Sequence, residues 1–250
     1  YVKTSVVPEK KFFLGENKSL LVRIGASLDW SNRDGSKFLP QFGIKLSKEK
    51  DQNLKYLSFE WSESSQLPGY TALNSRPSGL FGGNPSLDRE TSQQISLNFG
   101  SNYSSWRYLL TGFYRDDNDV VDWTYFSGTP YSRQANPVDL EVHGFETSVS
   151  GNWKGGELIL SYSRIHKDSD YKQASVDASY YALNFPKQRL VLSSEIYIDQ
   201  NLELRINAEY RDQEKNVLRA DSSKAFFISA GLEWLPSKNR NVIVRLNADN

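Results

Sequence analysis

From Leu20 to Trp30 apolar and polar residues take turns. Leu20, Val22, Ile24, Ala26, Leu28 and Trp30 fall on one side of an extended chain, against Leu21, Arg23, Gly25, Ser27 and Asp29 on the other. Side chains of a strand point alternately to two faces, so this segment is a strand with one dry face and one wet one. Phe38, Pro40, Phe42, Ile44 and Leu46 repeat the pattern against Leu39, Gln41, Gly43, Lys45 and Ser47. It is cleanest where Leu202, Leu204, Ile206, Ala208 and Tyr210 alternate with Glu203, Arg205, Asn207, Glu209 and Arg211. The same period predicts strands near 54–63, 91–100, 106–115, 139–151, 157–166, 188–198, 224–234 and 241–249, with a weaker one over 1–13. That makes eleven clear strands and a twelfth weaker one. No helical period persists for two turns.

The connections alternate too. Short polar turns are predicted at 48–53, 101–105, 152–156, 199–201 and 236–240, and longer segments at 31–37, 64–90, 116–138, 167–180 and 212–223. An antiparallel meander with one plain end and one decorated end has this anatomy, as in transmembrane β-barrels. Trp30 and Trp61 precede long segments, whereas Trp106, Trp153 and Trp234 lie beside short turns, where the two aromatic girdles of such a barrel would stand. A soluble sandwich also has one dry face, but its core would bring Greek-key connections in place of a strict short–long meander. The fold class expected is all-β: an antiparallel up-and-down transmembrane barrel, with about 11–12 strands of a larger, 22-stranded one.

Composition narrows the function classes. The longest apolar runs are three or four residues, such as Val242-Ile243-Val244, where a membrane helix needs about 20. Thirty basic and thirty acidic residues cancel, which removes the footprint of a nucleic-acid binder. Cysteine is absent, so there is neither a disulfide framework nor a cysteine-based zinc centre. No Gly-x-Ser-x-Gly elbow or triad spacing appears, and no enzyme activity or cofactor is expected.

One stretch carries a more specific signal. After the strand of Leu57, Phe59 and Trp61 comes Gln66-Leu67-Pro68-Gly69-Tyr70, then Gly82-Gly83-Asn84-Pro85-Ser86-Leu87-Asp88-Arg89-Glu90, then a strand with Ile95, Leu97 and Phe99. This resembles the barrel of TonB-dependent outer-membrane receptors, in which a strand re-enters through a Gly-Asn-Pro-x-Leu-x-Pro-Glu element. Gly83, Asn84, Pro85, Leu87 and Glu90 match; Gln66 stands where the family often has Arg, and Arg89 where it often has Pro. The passages Tyr114–Trp123 and Val138–Glu146 look like that family's strand-to-loop transitions, and Val244–Asn250 like its penultimate strand.

The resemblance implies a single barrel segment over 1–250, with the plug domain and the closing strand outside it. It implies residence in the bacterial outer membrane, contact with outer-membrane lipid, and coupling to a TonB-type energy-transducing protein through the missing N-terminal part. The implied activity is uptake of a scarce, bulky small-molecule nutrient: an iron chelate, a corrinoid or a glycan. A passive porin-like channel and a soluble all-β binding module are the alternatives.

Among the long segments, Tyr70, Arg76, Phe81, Trp123, Tyr125, Tyr131 and Arg133 offer aromatic and cationic groups, and Tyr70, Arg76, Trp123 and Tyr125 are the favoured ligand-binding residues. The acids Asp116, Asp117, Asp119 and Asp122 lie in a long segment and could hold calcium, which carboxylate and carbonyl oxygens coordinate, with a solvated acidic loop as the alternative. His143 and His166, the only histidines, are expected as neighbours near the outer ends of successive strands, as polar rim residues. Arg23, Lys45, Arg107, Arg205, Arg211 and Arg245 fall on the wet face and would line an aqueous interior.

Overall fold

The computed structural model describes residues 1–50, 53–76, 80–128, 133–182, 184–219, 222–236 and 242–250. Its strands are β1 (Val2–Val6), β2 (Glu9–Phe13), β3 (Lys18–Ser31), β4 (Gly35–Lys50) and β5 (Asn53–Gln66), followed by the short helix α1 (Tyr70–Asn74). Then come β6 (Phe81–Gly82), β7 (Glu90–Tyr103), β8 (Trp106–Tyr125), β9 (Arg133–Trp153), β10 (Gly156–Asp170) and β11 (Ala178–Ser179). The chain finishes with β12 (Pro186–Tyr197), β13 (Leu202–Gln213), β14 (Lys224–Trp234) and β15 (Val244–Asp249). All join one sheet, in the order β1-β3-β4-β5-β7-β8-β9-β10-β12-β13-β14-β15. Each strand on this path pairs antiparallel with its neighbours, as the meander predicted. β1 and β2 are one strand interrupted at Val7-Pro8, since both pair with β3. At that break Val6 O comes so close to Gly25 that a Cβ there would lie 2.4 Å from it, so only glycine fits.

Register turns alternation into two surfaces. One cross-strand row reads Phe12, Leu20, Leu46, Leu57, Phe99, Leu110, Thr147, Tyr162, Leu190, Tyr210 and Phe226. The row one residue away reads Lys11, Leu21, Lys45, Ser58, Asn98, Thr111, Glu146, Ser163, Arg189, Arg211 and Ala225. The apolar row is not buried by protein: Leu46, Leu57, Phe99, Leu110 and Phe226 are all exposed, which in water would be an aggregation surface and in lipid is a solvated one. The row begins beside the short turn before β3 and ends beside the long connection before β14, the climb that tilted barrel strands require. Trp30, Trp153 and Trp234 are exposed on this same face near the strand ends.

The polar face is held by ion pairs. Arg205 contacts Glu203 at 2.6 Å and Glu195 at 3.4 Å, Arg211 contacts Glu209 at 2.7 Å, Arg245 contacts Glu233 at 2.8 Å and Arg23 contacts Glu60 at 3.1 Å. Such pairs contribute little individually in water. Their use here is to let a charged wall remain neutral and hydrated.

Two predicted segments differ. Residues 31–37 form a tight hairpin, with Ser31 opposite Gly35. Most of 116–138 is strand, because β8 and β9 run 20 and 21 residues and stay paired far beyond their neighbours. β7 stops at Glu90 and β10 at Asp170, leaving this hairpin standing above the sheet. A bulge between Asp117 and Val120 marks where it departs, with Asp119 at φ 58.

The face assignment predicts unequal effects in β13. Ile206→Arg should lower barrel assembly severely, because a cation on the lipid face costs about 2–4 kcal/mol near the midplane. Arg205→Leu, on the wet face, should assemble almost normally. Heat-modifiable mobility after reconstitution measures both, and equal yields would refute the assignment.

Candidate functional site

The standing β8–β9 hairpin organises the long-loop end. Its two faces are each covered by a different connection. Val121, Trp123 and Ala135 pack against Ala72, Leu73 and Leu87 of the β5–β7 connection. On the opposite face Val120, Val138, Leu140 and Val142 pack against Tyr171 and Ala182 of the β10–β12 connection. Each connection then adds a short strand to a free edge of the hairpin: β6 pairs with β9 at Arg133 and Gln134, and β11 pairs with β8 at Thr124 and Tyr125. The sheet's apolar core is therefore a crown above the barrel wall.

The Gly-Asn-Pro element now has a physical account. Gly83 N–H donates to Ser75 O at 3.1 Å, and a Cβ on Gly83 would lie 2.7 Å from Ser75 N. Asn84 N–H donates to Ala72 O at 2.7 Å, while the Asn84 side chain accepts from the Ser86 amide and hydroxyl. Leu87 is 1% exposed. Glu90 accepts from the Val121 amide of β8; burial, with Asp117 nearby, raises its pKa to about 7. Gly83, Asn84, Leu87 and Glu90 thus close this connection onto the end of α1 or onto β8.

Arg89, the departure from the family pattern, ties the same connection to the β3–β4 hairpin. Its guanidinium pairs with Asp34, one bond at 2.6 Å, and holds that carboxyl down to about 2. Arg33 returns the contact by donating to Pro85 O at 3.0 Å and Leu87 O at 2.6 Å. Below them Asp29, fully buried, accepts from Tyr1 Oη at 3.1 Å and Ser65 Oγ at 2.8 Å.

The four acids are not in a loop. Asp116, Asp117, Asp119 and Asp122 all belong to β8, because the hairpin continues through them. Strand alternation and the bulge send them to different partners. Asp117 pairs with Arg115 at 2.7 Å, and Asp119 with Lys172, which also reaches Asp139 at 3.2 Å. Asp122, fully buried, accepts from Tyr171 Oη at 2.7 Å, Ser179 Oγ at 2.6 Å and the amides of Tyr181 and Ala182. Burial and that contact with Asp122 push the Tyr171 phenol pKa up. Among the described residues no group of three or more His, Cys, Asp or Glu side chains converges as a metal site. Asp119 and Asp122 pin the β10–β12 connection.

Of the favoured ligand residues, Tyr70 and Arg76 flank α1 and are exposed, Tyr70 at 82%. Trp123 is half-buried against α1, with its ring edge-on to Phe81 at 5.1 Å. Tyr125 continues the same strand, where its carbonyl accepts from Asp177 N–H at 2.8 Å. Tyr131 lies outside the described residues.

The structure adds a group that spacing could not reveal. Arg133 lies between two rings, 5.5 Å from the Phe81 centroid and 4.4 Å from that of Tyr180. Its Nε is buried and finds no hydrogen-bond partner among the described residues. Phe81 of the β5–β7 connection, Arg133 at the start of β9 and Tyr180 of the β10–β12 connection lie some fifty residues apart, so their only sequence signal was the presence of aromatic and cationic residues in the long segments.

The family model described as TonB dependent receptor-like, beta-barrel matches residues 11–250. No curated protein matches the chain. Among solved structures, the siderophore receptor PirA from Pseudomonas aeruginosa is similar with a TM-score of 0.67 at 14% identity, over 99% of this chain and 42% of that one. The copper transporter OprC gives 0.66 at 14% identity with the same coverages. The FrpB iron transporter from Neisseria meningitidis gives 0.63 at 16%, over 99% of this chain and 40% of that one. The chain thus spans about two-fifths of the length of these structures.

Two expectations follow from the crown. An acid whose folded pKa is raised loses folded-state stability as pH rises from its ordinary value to the raised one. Glu90 therefore weakens the β7–β8 junction between pH 4.5 and about 7. Glu90→Gln should remove that dependence, so that hydrogen exchange of the β7–β8 junction amides no longer loses protection as pH rises from 4.5 to about 7. Asp34 has the opposite sign: its contribution is full above its ordinary range and fades as pH falls towards about 2. Arg89→Ala should abolish that acid dependence and open the segment 67–89 to proteolysis at neutral pH, with the barrel wall intact.

Proposed function

Because the chain belongs to the TonB-dependent receptor-like β-barrel family, we propose that it forms the outer-membrane wall and outer crown of a receptor that captures a scarce nutrient and imports it with energy from a TonB-type partner. Membership places the barrel in the outer membrane of a Gram-negative bacterium. The plug and the segment that meets the energy-transducing protein belong, in this reading, to parts of the receptor outside this chain.

The observation that carries the proposal is Arg133, a guanidinium set between Phe81 and Tyr180 at the outer end. Two rings flank this guanidinium, and a guanidinium recognises carboxylates and other oxyanions through the N–H donors along its plane edge. Exposed Tyr70 and Arg76 border the same connection and extend the surface with one more ring and one more cation. The ligand this surface suits carries anionic oxygens beside a flat or apolar body. PirA is a siderophore receptor and OprC a copper transporter, which accords with scarce-metal nutrients as the ligand class.

Arg133→Ala in the intact receptor should weaken ligand capture at least tenfold while barrel assembly stays normal. Arg133→Lys should not restore capture, since a lysine cannot stack between the rings and present a planar edge. Radiolabelled uptake in cells with and without the TonB-type protein tests the rest of the reading. Uptake that persists undiminished without that partner would make this a passive channel.

A further inference from the structure

His143 and His166 lie apart from the crown, on the wall. They are register partners across β9 and β10, with ring centroids 4.9 Å apart and planes at 57°. Both are exposed. They share the outward parity of Phe145, whose ring touches Tyr162; the exposed Arg164 stands opposite Phe145 one step nearer the apolar belt, and Tyr114 of β8 sits opposite His143. One step towards the crown, the same register brings Asp116, Glu141 and Asp168 side by side, and His166 Nε2 lies 3.4 Å from Asp168 Oδ2.

This spacing is what a chelating pair needs. Metal–nitrogen bonds of about 2.0–2.1 Å place two coordinated imidazole nitrogens about 3 Å apart, with ring centres about 5 Å apart. The strand pairing fixes both backbones, so little ordering remains for an ion to impose. The adjacent carboxylates supply a negative field, and an Asp168 contact to one ring nitrogen of His166 orients the other. Imidazole donors favour copper, nickel and zinc over calcium and magnesium.

We propose that His143 and His166 form a two-nitrogen surface site for a divalent transition ion of the copper, nickel and zinc class, at the outer rim of the barrel wall. Water fills the remaining positions, since among the described residues no third metal-ligating side chain converges on the pair. The bound ion staples β9 to β10 at the root of the β8–β9 hairpin. The site is independent of the ligand reading given above, because it lies on the lipid-facing side of the wall and shares no residue with the Arg133 cluster.

Cu²⁺ added to the intact receptor in detergent micelles is the probe. Calorimetry should detect one equivalent that is lost, or weakened at least tenfold, in His143→Ala and in His166→Ala, and electron paramagnetic resonance should register one fewer nitrogen ligand in each. Acid should release the ion, because a protonated imidazole has no lone pair to donate. His143→Gln and His166→Gln serve as second comparisons should an alanine variant assemble poorly. A double variant that binds as many Cu²⁺ ions as tightly as the wild type, with an unchanged spectrum, overturns the proposal. Ligand uptake unaffected by either histidine change is the expected result, which separates this test from that of the Arg133 site.

Discussion

Inside a bilayer no water reaches a backbone amide, so every N–H and C=O of a spanning strand must find its partner on the next strand. That requirement fixes the register of eleven consecutive pairings here, and register in turn fixes which residues meet lipid. A slip of one residue at β8 that brought Thr111 into the place of Leu110 would put a hydroxyl in the apolar row and turn Leu110 to the wet face. Wall, lumen and rim all inherit their chemistry from this one constraint. The short turns tolerate little length because they sit directly on it. The long connections, freed from it above the apolar belt, carry the variation.

Where the constraint ends, a second kind of packing begins. The β8–β9 hairpin has two open edges and two uncovered faces once β7 and β10 stop, an arrangement that would expose unpaired backbone. The β5–β7 and β10–β12 connections resolve it from opposite sides, each burying one face and pairing one edge. Charged groups fasten the arrangement. Asp122 holds one connection through four donors, while Arg33 and Arg89 hold the other to the β3–β4 hairpin. A crown built this way is a fixed platform at its base with exposed residues such as Tyr70 and Arg76 at its edge.

The fold was legible in the chain because a period of two is a local property. Leu202 to Arg211 announces its two faces without reference to any other strand, and the twelve strands of the path coincide with the twelve expected. The opposition of His143 and His166 was also readable, since two strands joined by a short turn have only one sensible register. The resemblance at Gly83-Asn84-Pro85 named the family, though not the reason for the motif, which is closure of that connection onto Ser75 and Ala72.

What the sequence by itself determined is therefore the class of surface on each side of the sheet and the order of the strands. Tertiary structure decided how far each strand continues and what meets at its end. Asp116, Asp117, Asp119 and Asp122 look like a solvated acidic loop because four acids near a turn usually are one. They are strand residues because two distant connections cover a hairpin that would otherwise stand alone. Phe81, Arg133 and Tyr180 likewise meet only after three separate segments of the chain have folded together. Alternation is written in neighbouring residues, whereas contacts between connections depend on closing long stretches of chain, and no local pattern encodes that geometry.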